Sequence, residues 1–237
     1  MANKYFFLEI PYNSATKIAN QGLLNSMLAV APKYAKGSLV DIGCGIKPYE
    51  EIFRPYVTSY FGVDYEPSAA SNYSEQTKAD LYADCTKTGL DSESFDTLLS
   101  TQVMEHVYST DLYVKECHRL LKKGGMAIFT IPMSWRCHAE PYDYHRFTKY
   151  SLEKVFTENG FKVVELREIE GAFASVLQHC VVFLCNRGGY RNLFLRAIRK
   201  AVHTVLFSGV NYLALKLDKY FWDDKLCLNY LLVAQKE

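Results

Sequence analysis

Two carboxylates and a pair of glycines carry the first chemistry that can be read from this chain. In Leu39-Val40-Asp41-Ile42-Gly43-Cys44-Gly45 a short apolar run ends in an acid and two glycines; Tyr60-Phe61-Gly62-Val63-Asp64 ends a second run in another acid, nineteen residues after Gly45. Gly43 and Gly45 remove the side chains that would hold the backbone away from a ligand, and Pro48 suits the first position of a helix opening just after the turn. A dinucleotide fingerprint would need a third glycine at position 48, where Pro48 stands, and no Lys-Ser/Thr pair follows to make a P-loop. Asp64, at a strand's carboxyl end, can accept both hydroxyls of a ribose. Asp41 can face a cation that a pyrophosphate turn would repel, and a sulfonium bearing an α-amino group is such a cation.

A second cluster lies in Pro132-Met133-Ser134-Trp135-Arg136-Cys137-His138-Ala139-Glu140-Pro141-Tyr142-Asp143-Tyr144-His145-Arg146-Phe147, the densest polar and aromatic stretch of the chain. His138 and His145 are candidate general bases, because imidazole titrates near neutral pH. Arg146 is a candidate for a phosphate or carboxylate on an acceptor. The same residues have a structural reading, in which Asp143, His145 and Arg146 pin the loop to the helix that follows. His138, Glu140, Asp143 and His145 are also of types that suit a divalent ion. Their position on a loop leaves their convergence open, and no metal is assigned to them.

Further motifs follow in order. Ala79-Asp80-Leu81-Tyr82-Ala83-Asp84 ends a third short run in an acid, Ser94–Val107 is an apolar run with a following loop that carries Glu105-His106, and Leu121–Pro132 turns through Gly124-Gly125 into a fifth run. Over residues 38–132 the chain resembles the class I S-adenosylmethionine-dependent methyltransferases. The resemblance implies S-adenosylmethionine as cofactor, held by Asp41, Gly43, Gly45, Asp64, Asp84, Cys85 and Thr101. Asp84 would receive the adenine amino group and Cys85 would contribute its backbone, with Glu105 and His106 near the methionine end. It also implies an α/β, doubly wound, mostly parallel seven-stranded sheet of order 3-2-1-4-5-7-6 with the last strand antiparallel. The pattern His-x-x-Pro-x-Asp-x-x-Arg-Phe-Thr, from His138 to Thr148, is similar to a segment of methyltransferases found with surface-polysaccharide assembly. That likeness implies O-methylation of a sugar hydroxyl or a sugar-linked phosphate. The alternatives are a small metabolite, a quinone-like lipid, or a catalytically silent cofactor-binding scaffold; Pro48 and Asp41 disfavour a nicotinamide oxidoreductase.

The elements that must position these residues follow from apolar spacing. Ser38–Ile42, Ser59–Val63, Ala79–Ala83, Phe95–Ser100 and Met126–Ile131 alternate with helical or turn segments, as in a parallel sheet covered on both faces. Helices are predicted over 15–34, 111–121, where Gly124-Gly125 would end it, and 148–159, stopped by Gly160. Residues 64–77 are polar and read as a loop, and 1–14 as an irregular arm, either over the cofactor crevice or on the surface. Phe161–Arg167 and Leu226–Ala234 read as the last two strands. The roughly sixty residues between them exceed a hairpin's need, so the expectation is one domain over 1–237, with a core at about 15–170 and 225–237 and a helical insertion at about 171–224.

The chain has 237 residues, 14% of them aromatic, and a formal net charge of +1, which argues against a nucleic-acid-coating or disordered protein. Seven cysteines without a Cys-x-x-Cys pair read as reduced thiols rather than a disulfide framework. With no signal segment at Met1–Tyr5 and no long apolar run, a cytoplasmic location is expected. The charge is unevenly placed. Residues 187–219 hold seven Lys or Arg against Asp218 alone, +6 against −5 for the rest. Leu193, Phe194, Ile198, Val202, Val205, Leu206, Val210, Leu213 and Leu217 recur there at helical spacing. Such a helix can lie on an anionic membrane surface, or pack on its own core, on Phe173–Cys185, or on a second copy in a homodimer.

Overall fold

The computed structural model describes residues 10–66, 77–185 and 193–237, the side chains of 193–200 excepted. The strands are β1 (Ser38–Ile42), β2 (Ser59–Asp64), β3 (Leu81–Tyr82), β4 (Phe95–Thr101), β5 (Leu121–Pro132), β6 (Phe161–Ile169) and β7 (Asn229–Lys236). They form one seven-stranded sheet in the order 3-2-1-4-5-7-6, as expected. β1 through β5 pair in parallel. β7 runs the other way: Lys236 Nζ donates to Leu121 O at 2.8 Å and Glu237 N to Gly160 O at 3.4 Å, beside the starts of β5 and β6. At its other end, the Tyr230 hydroxyl reaches Met133 beyond the end of β5. Leu39, Val40, Leu98, Leu99, Ala127 and Ile128 are wholly buried, so the central strands are covered on both faces.

The helices are α1 (Lys17–Tyr34), α2 (Glu50–Phe53), α3 (Thr110–Leu120), α4 (Lys149–Glu158), α5 (Ala172–Cys185) and α6 (Leu193–Leu217). α4 begins in a reciprocal cap, Thr148 Oγ1 accepting from Ser151 N while Ser151 Oγ accepts from Thr148 N. Three local expectations change. Pro48 does not open a helix, because Lys47 takes a φ of 56° and α2 starts only at Glu50. Gly124-Gly125 do not end α3, which stops at Leu120; they form the irregularity where β5 shifts register against β4, between Phe95 and Thr97. Gly124 there has a φ of 73°, and a Cβ on Gly125 would stand 2.8 Å from Lys122 O. β3 keeps two residues of the five expected, as suits a short edge strand.

The chain divides into two compact units, Met1–Asn25 with Glu168–Asn229, and Ser26–Arg167 with Tyr230–Glu237. The first thus takes the N-terminal residues as well as the expected insertion, and buried polar side chains show why. Asn211 on α6 donates to Tyr12 O and Ser14 O at 2.7 and 2.9 Å, and Gln178 on α5 accepts from Ala19 N and donates to Ala15 O. Asp218 accepts from Gly171 N and Ala174 N at 2.8 and 2.9 Å, capping the start of α5. α5 and α6 pack on each other. Residues 1–9 of the expected arm, 67–76 of the expected loop, and 186–192 lie outside the described residues, as do the side chains of Arg196, Arg199 and Lys200.

Candidate active site

The second unit places its polar groups at the carboxyl ends of the parallel strands. Gly43 N and Cys44 N donate to Val63 O at 2.8 and 3.1 Å, tying the turn after β1 to the end of β2. Gly43 has a φ of 73°, and a Cβ on it would lie 2.3 Å from Val103 Cγ2; a Cβ on Gly45 would meet nothing within 4 Å. Asp64 accepts from Gly45 N and Tyr65 N, each at 2.7 Å. Burial raises its carboxyl above the usual range against these two donors. Asp84 accepts from Thr86 N and Oγ1 at 2.7 Å, which fixes the turn after β3.

These residues border a cavity of about 450 Å³, within the range of small-molecule sites. Of the residues expected from the sequence, Gly43, Asp64, Asp84, Cys85 and His106 line it, while Asp41, Gly45, Thr101, Glu105, His138, His145 and Arg146 stand outside its wall. Tyr65, Tyr108, Tyr142 and Tyr144 line it too and were not singled out from the sequence. Two of them lie in the aromatic loop flagged there, but no spacing rule distinguishes a wall tyrosine from an exposed one. Burial pushes the Cys44 and Cys85 thiols up to about 12, so neither is a nucleophile at neutral pH.

Behind the turn, Asp41 is 2% exposed and accepts from the Tyr60 hydroxyl at 2.5 Å, and its Oδ1 has no partner. Burial pushes this carboxyl up to about 7, the Tyr60 hydrogen bond opposing the shift. Since the unfolded value is near 3.8, the fold keeps a proton that the unfolded chain has lost. Stability therefore falls as pH rises from about 4 to about 7, by about 1.4 kcal/mol per unit at most. Asp41→Asn, which stays neutral, is expected to raise the melting temperature at pH 8 and leave it unchanged at pH 4, as scanning calorimetry at the two pH values would show.

The loop after β5 is held by an ion pair and by carbonyls. Arg146 makes a two-pronged contact to Asp143 at 2.6 and 2.8 Å and donates to the carbonyls of Trp135, Arg136 and His145. The guanidinium holds the Asp143 carboxyl well below the usual carboxylate range. His145 Nε2 is 3.1 Å from Tyr108 O, with its ring stacked on Tyr108. Tyr144 N and His145 N donate to Glu105 O at 2.9 and 3.2 Å, which brings the loop onto the short 3₁₀ turn Met104–His106. As a result His138 meets Glu105 and His106, 33 and 32 residues earlier, and not His145. Glu105 is fully buried with both carboxylate oxygens unpartnered, and burial pushes it up to about 7.

The arrangement suits S-adenosylmethionine. The glycine turn leaves the backbone bare, Asp64 and Asp84 present carboxylates to the cavity, and the buried Asp41 Oδ1 stands unpartnered behind the turn. The fold, with its strand order 3-2-1-4-5-7-6, is that of the α/β methyltransferases. Residues 40–129 match the family model described as a methyltransferase domain. Among curated proteins, the chain is similar to the ubiquinone biosynthesis O-methyltransferase of Nitrobacter winogradskyi, 30% identical over 149 residues covering 54% of this chain and 57% of that protein. It is also similar to that of Bradyrhizobium sp., 32% identical over 107 residues covering 43% and 42%. The chain thus spans about half the length of the curated relatives it matches. Among solved structures, an S-adenosylmethionine-dependent methyltransferase from Archaeoglobus fulgidus superposes with a TM-score of 0.57 at 16% identity, covering 99% of this chain and 100% of that one. The [4+2]-cyclase SpnF superposes at 0.59 and 15% identity, covering 96% and 85%.

Proposed function

We propose that this protein transfers the methyl group of S-adenosylmethionine to a hydroxyl oxygen on an aromatic, quinone-like lipid. The observation that carries the reading is the cavity itself, whose lining includes Asp64, Asp84 and the tyrosines at 65, 108, 142 and 144. Bound S-adenosylmethionine supplies an electrophilic methyl on a sulfonium. The chain's part is to hold the acceptor oxygen in line with it and to help the hydroxyl lose its proton. The groups at the cavity edge for that second task are His106 and, behind it, Glu105 and His138. Flat aromatic walls favour a ring acceptor, and the similar curated proteins carry ubiquinone biosynthesis in their names. The sugar-linked phosphate implied by the loop after β5 has less to hold it, because the Arg146 guanidinium is committed to Asp143 and to backbone carbonyls.

A lipid acceptor agrees with the surface of the first unit. Val205 is 75% exposed, Val202, Phe221 and Trp222 are at least half exposed, and the segment from 187 to 219 has a net charge of +6. We assign this face to an anionic membrane surface, although no helix among the described residues is long and apolar enough to cross a membrane. Flotation with vesicles containing anionic lipid at low and moderate salt checks it: salt-sensitive binding is expected, whereas an unbound homodimer would give the face to a second copy. The acceptor is tested by following S-adenosylhomocysteine formation with a short-chain quinol bearing a free ring hydroxyl and, in parallel, with sugar nucleotides. Turnover with the quinol is expected, and turnover with the sugars alone would overturn the assignment.

A further inference from the structure

Glu105, His106 and His138 form a cluster whose geometry goes beyond a proton relay. Nδ1 of His106 lies 2.8 Å from Tyr142 O. A carbonyl can only accept, so Nδ1 carries the hydrogen and, in the neutral ring, Nε2 presents a lone pair. His138 repeats the arrangement: its Nδ1 lies 3.2 Å from Arg136 O and 3.2 Å from an Asp143 oxygen, both acceptors, so in the neutral ring Nε2 is again the atom with the lone pair. Both Nε2 atoms turn toward one carboxylate oxygen, Glu105 Oε1, at 3.7 Å from His106 and 4.0 Å from His138. The rings meet edge to face, 4.8 Å between centroids.

We propose that Glu105, His106 and His138 bind a divalent transition-metal cation. One proton on the carboxyl can satisfy a single lone pair here, whereas three donor atoms converge and neither Glu105 oxygen has a hydrogen-bond partner in its fully buried position. A cation satisfies all three donors at once. The donor atoms lie within 4.8 Å of one another, and tetrahedral ligation at ~2.1 Å sets neighbouring donors roughly 3.4 Å apart, so modest side-chain rotations close the site. The outer contacts are those that orient metal-bound histidines: a carbonyl behind His106, and a carboxylate with a carbonyl behind His138. Two imidazoles and one carboxylate suit zinc, cobalt or ferrous iron better than magnesium. Three protein ligands leave positions open, and His106 stands in the cavity wall. There a bound cation would lower the pKa of an acceptor hydroxyl. This catalytic use rests on the methyl-transfer reading, while cation binding itself does not.

The test titrates the metal-stripped full chain with Co²⁺ and reads visible absorption, with melting temperatures recorded to show that each variant is folded. One Co²⁺ per chain is expected, with ligand-field bands of nitrogen and oxygen ligation. Affinity should fall at least tenfold in Glu105→Gln and in His138→Ala, the latter on a surface loop, and hold in His145→Ala. Absence of saturable binding, equal binding by all three variants, or a thiolate-to-cobalt charge-transfer band would overturn the site. A site that binds Co²⁺ in a chain that proves unable to bind S-adenosylmethionine would leave this inference standing and remove only its catalytic use.

Discussion

Replacing Asp64 by Ala is expected to weaken S-adenosylmethionine binding by about 100-fold, the loss of charge-assisted hydrogen bonds worth roughly 1.5–3 kcal/mol each. Two losses combine. The carboxylate that would receive the ribose hydroxyls disappears, and so do the 2.7 Å acceptors of Gly45 N and Tyr65 N, which leaves the glycine turn held to the end of β2 only by the bonds of Gly43 N and Cys44 N to Val63 O. Asp64→Asn keeps an acceptor for one of these donors and is expected to lose less, about tenfold by the same reckoning. Calorimetric titration of both variants measures the difference. Equal, small losses in both would mean that Asp64 serves the turn alone.

Gly43→Ala is expected to cost more than any other single methyl added to this site. The new Cβ would stand 2.3 Å from Val103 Cγ2 in a backbone with a φ of 73°. The conformational term alone is about 1–2 kcal/mol, and overpacking adds about 1–3 kcal/mol. Val103 precedes the turn that carries Glu105 and His106, so relief by movement of Val103 would disturb that cluster as well. Gly45→Ala is the control: its Cβ meets nothing within 4 Å at a φ of 49°, leaving only the conformational term. Urea unfolding of the two variants should therefore separate them by about 1–3 kcal/mol, with Gly43→Ala the less stable.

The centre of the sheet was legible because its strands are buried on both faces and show up as apolar runs. Asp41 and Asp64 were legible because each interrupts such a run at its carboxyl end. Other features depend on contacts distant in sequence. Nothing near Gly124-Gly125 separates a helix stop from a strand irregularity; the register between β4 and β5 decides it. The first unit takes in the N-terminal residues because Gln178 and Asn211, more than 150 residues away, bond their backbone. The grouping of His138 with Glu105 and His106 follows from two hydrogen bonds to Glu105 O, while sequence proximity grouped it with Glu140, Asp143 and His145. Residue types announced the chemistry in that loop, and tertiary hydrogen bonding chose the partners.

Methyl transfer by this chain is measured most directly by isothermal titration of the full chain with S-adenosylmethionine, followed by analysis of the mixture after addition of a hydroxylated quinol. Saturable binding of one cofactor per chain is expected, with S-adenosylhomocysteine accumulating only when the acceptor is present. A chain that binds neither S-adenosylmethionine nor S-adenosylhomocysteine, or that binds both and never releases the demethylated product with any acceptor offered, would contradict it.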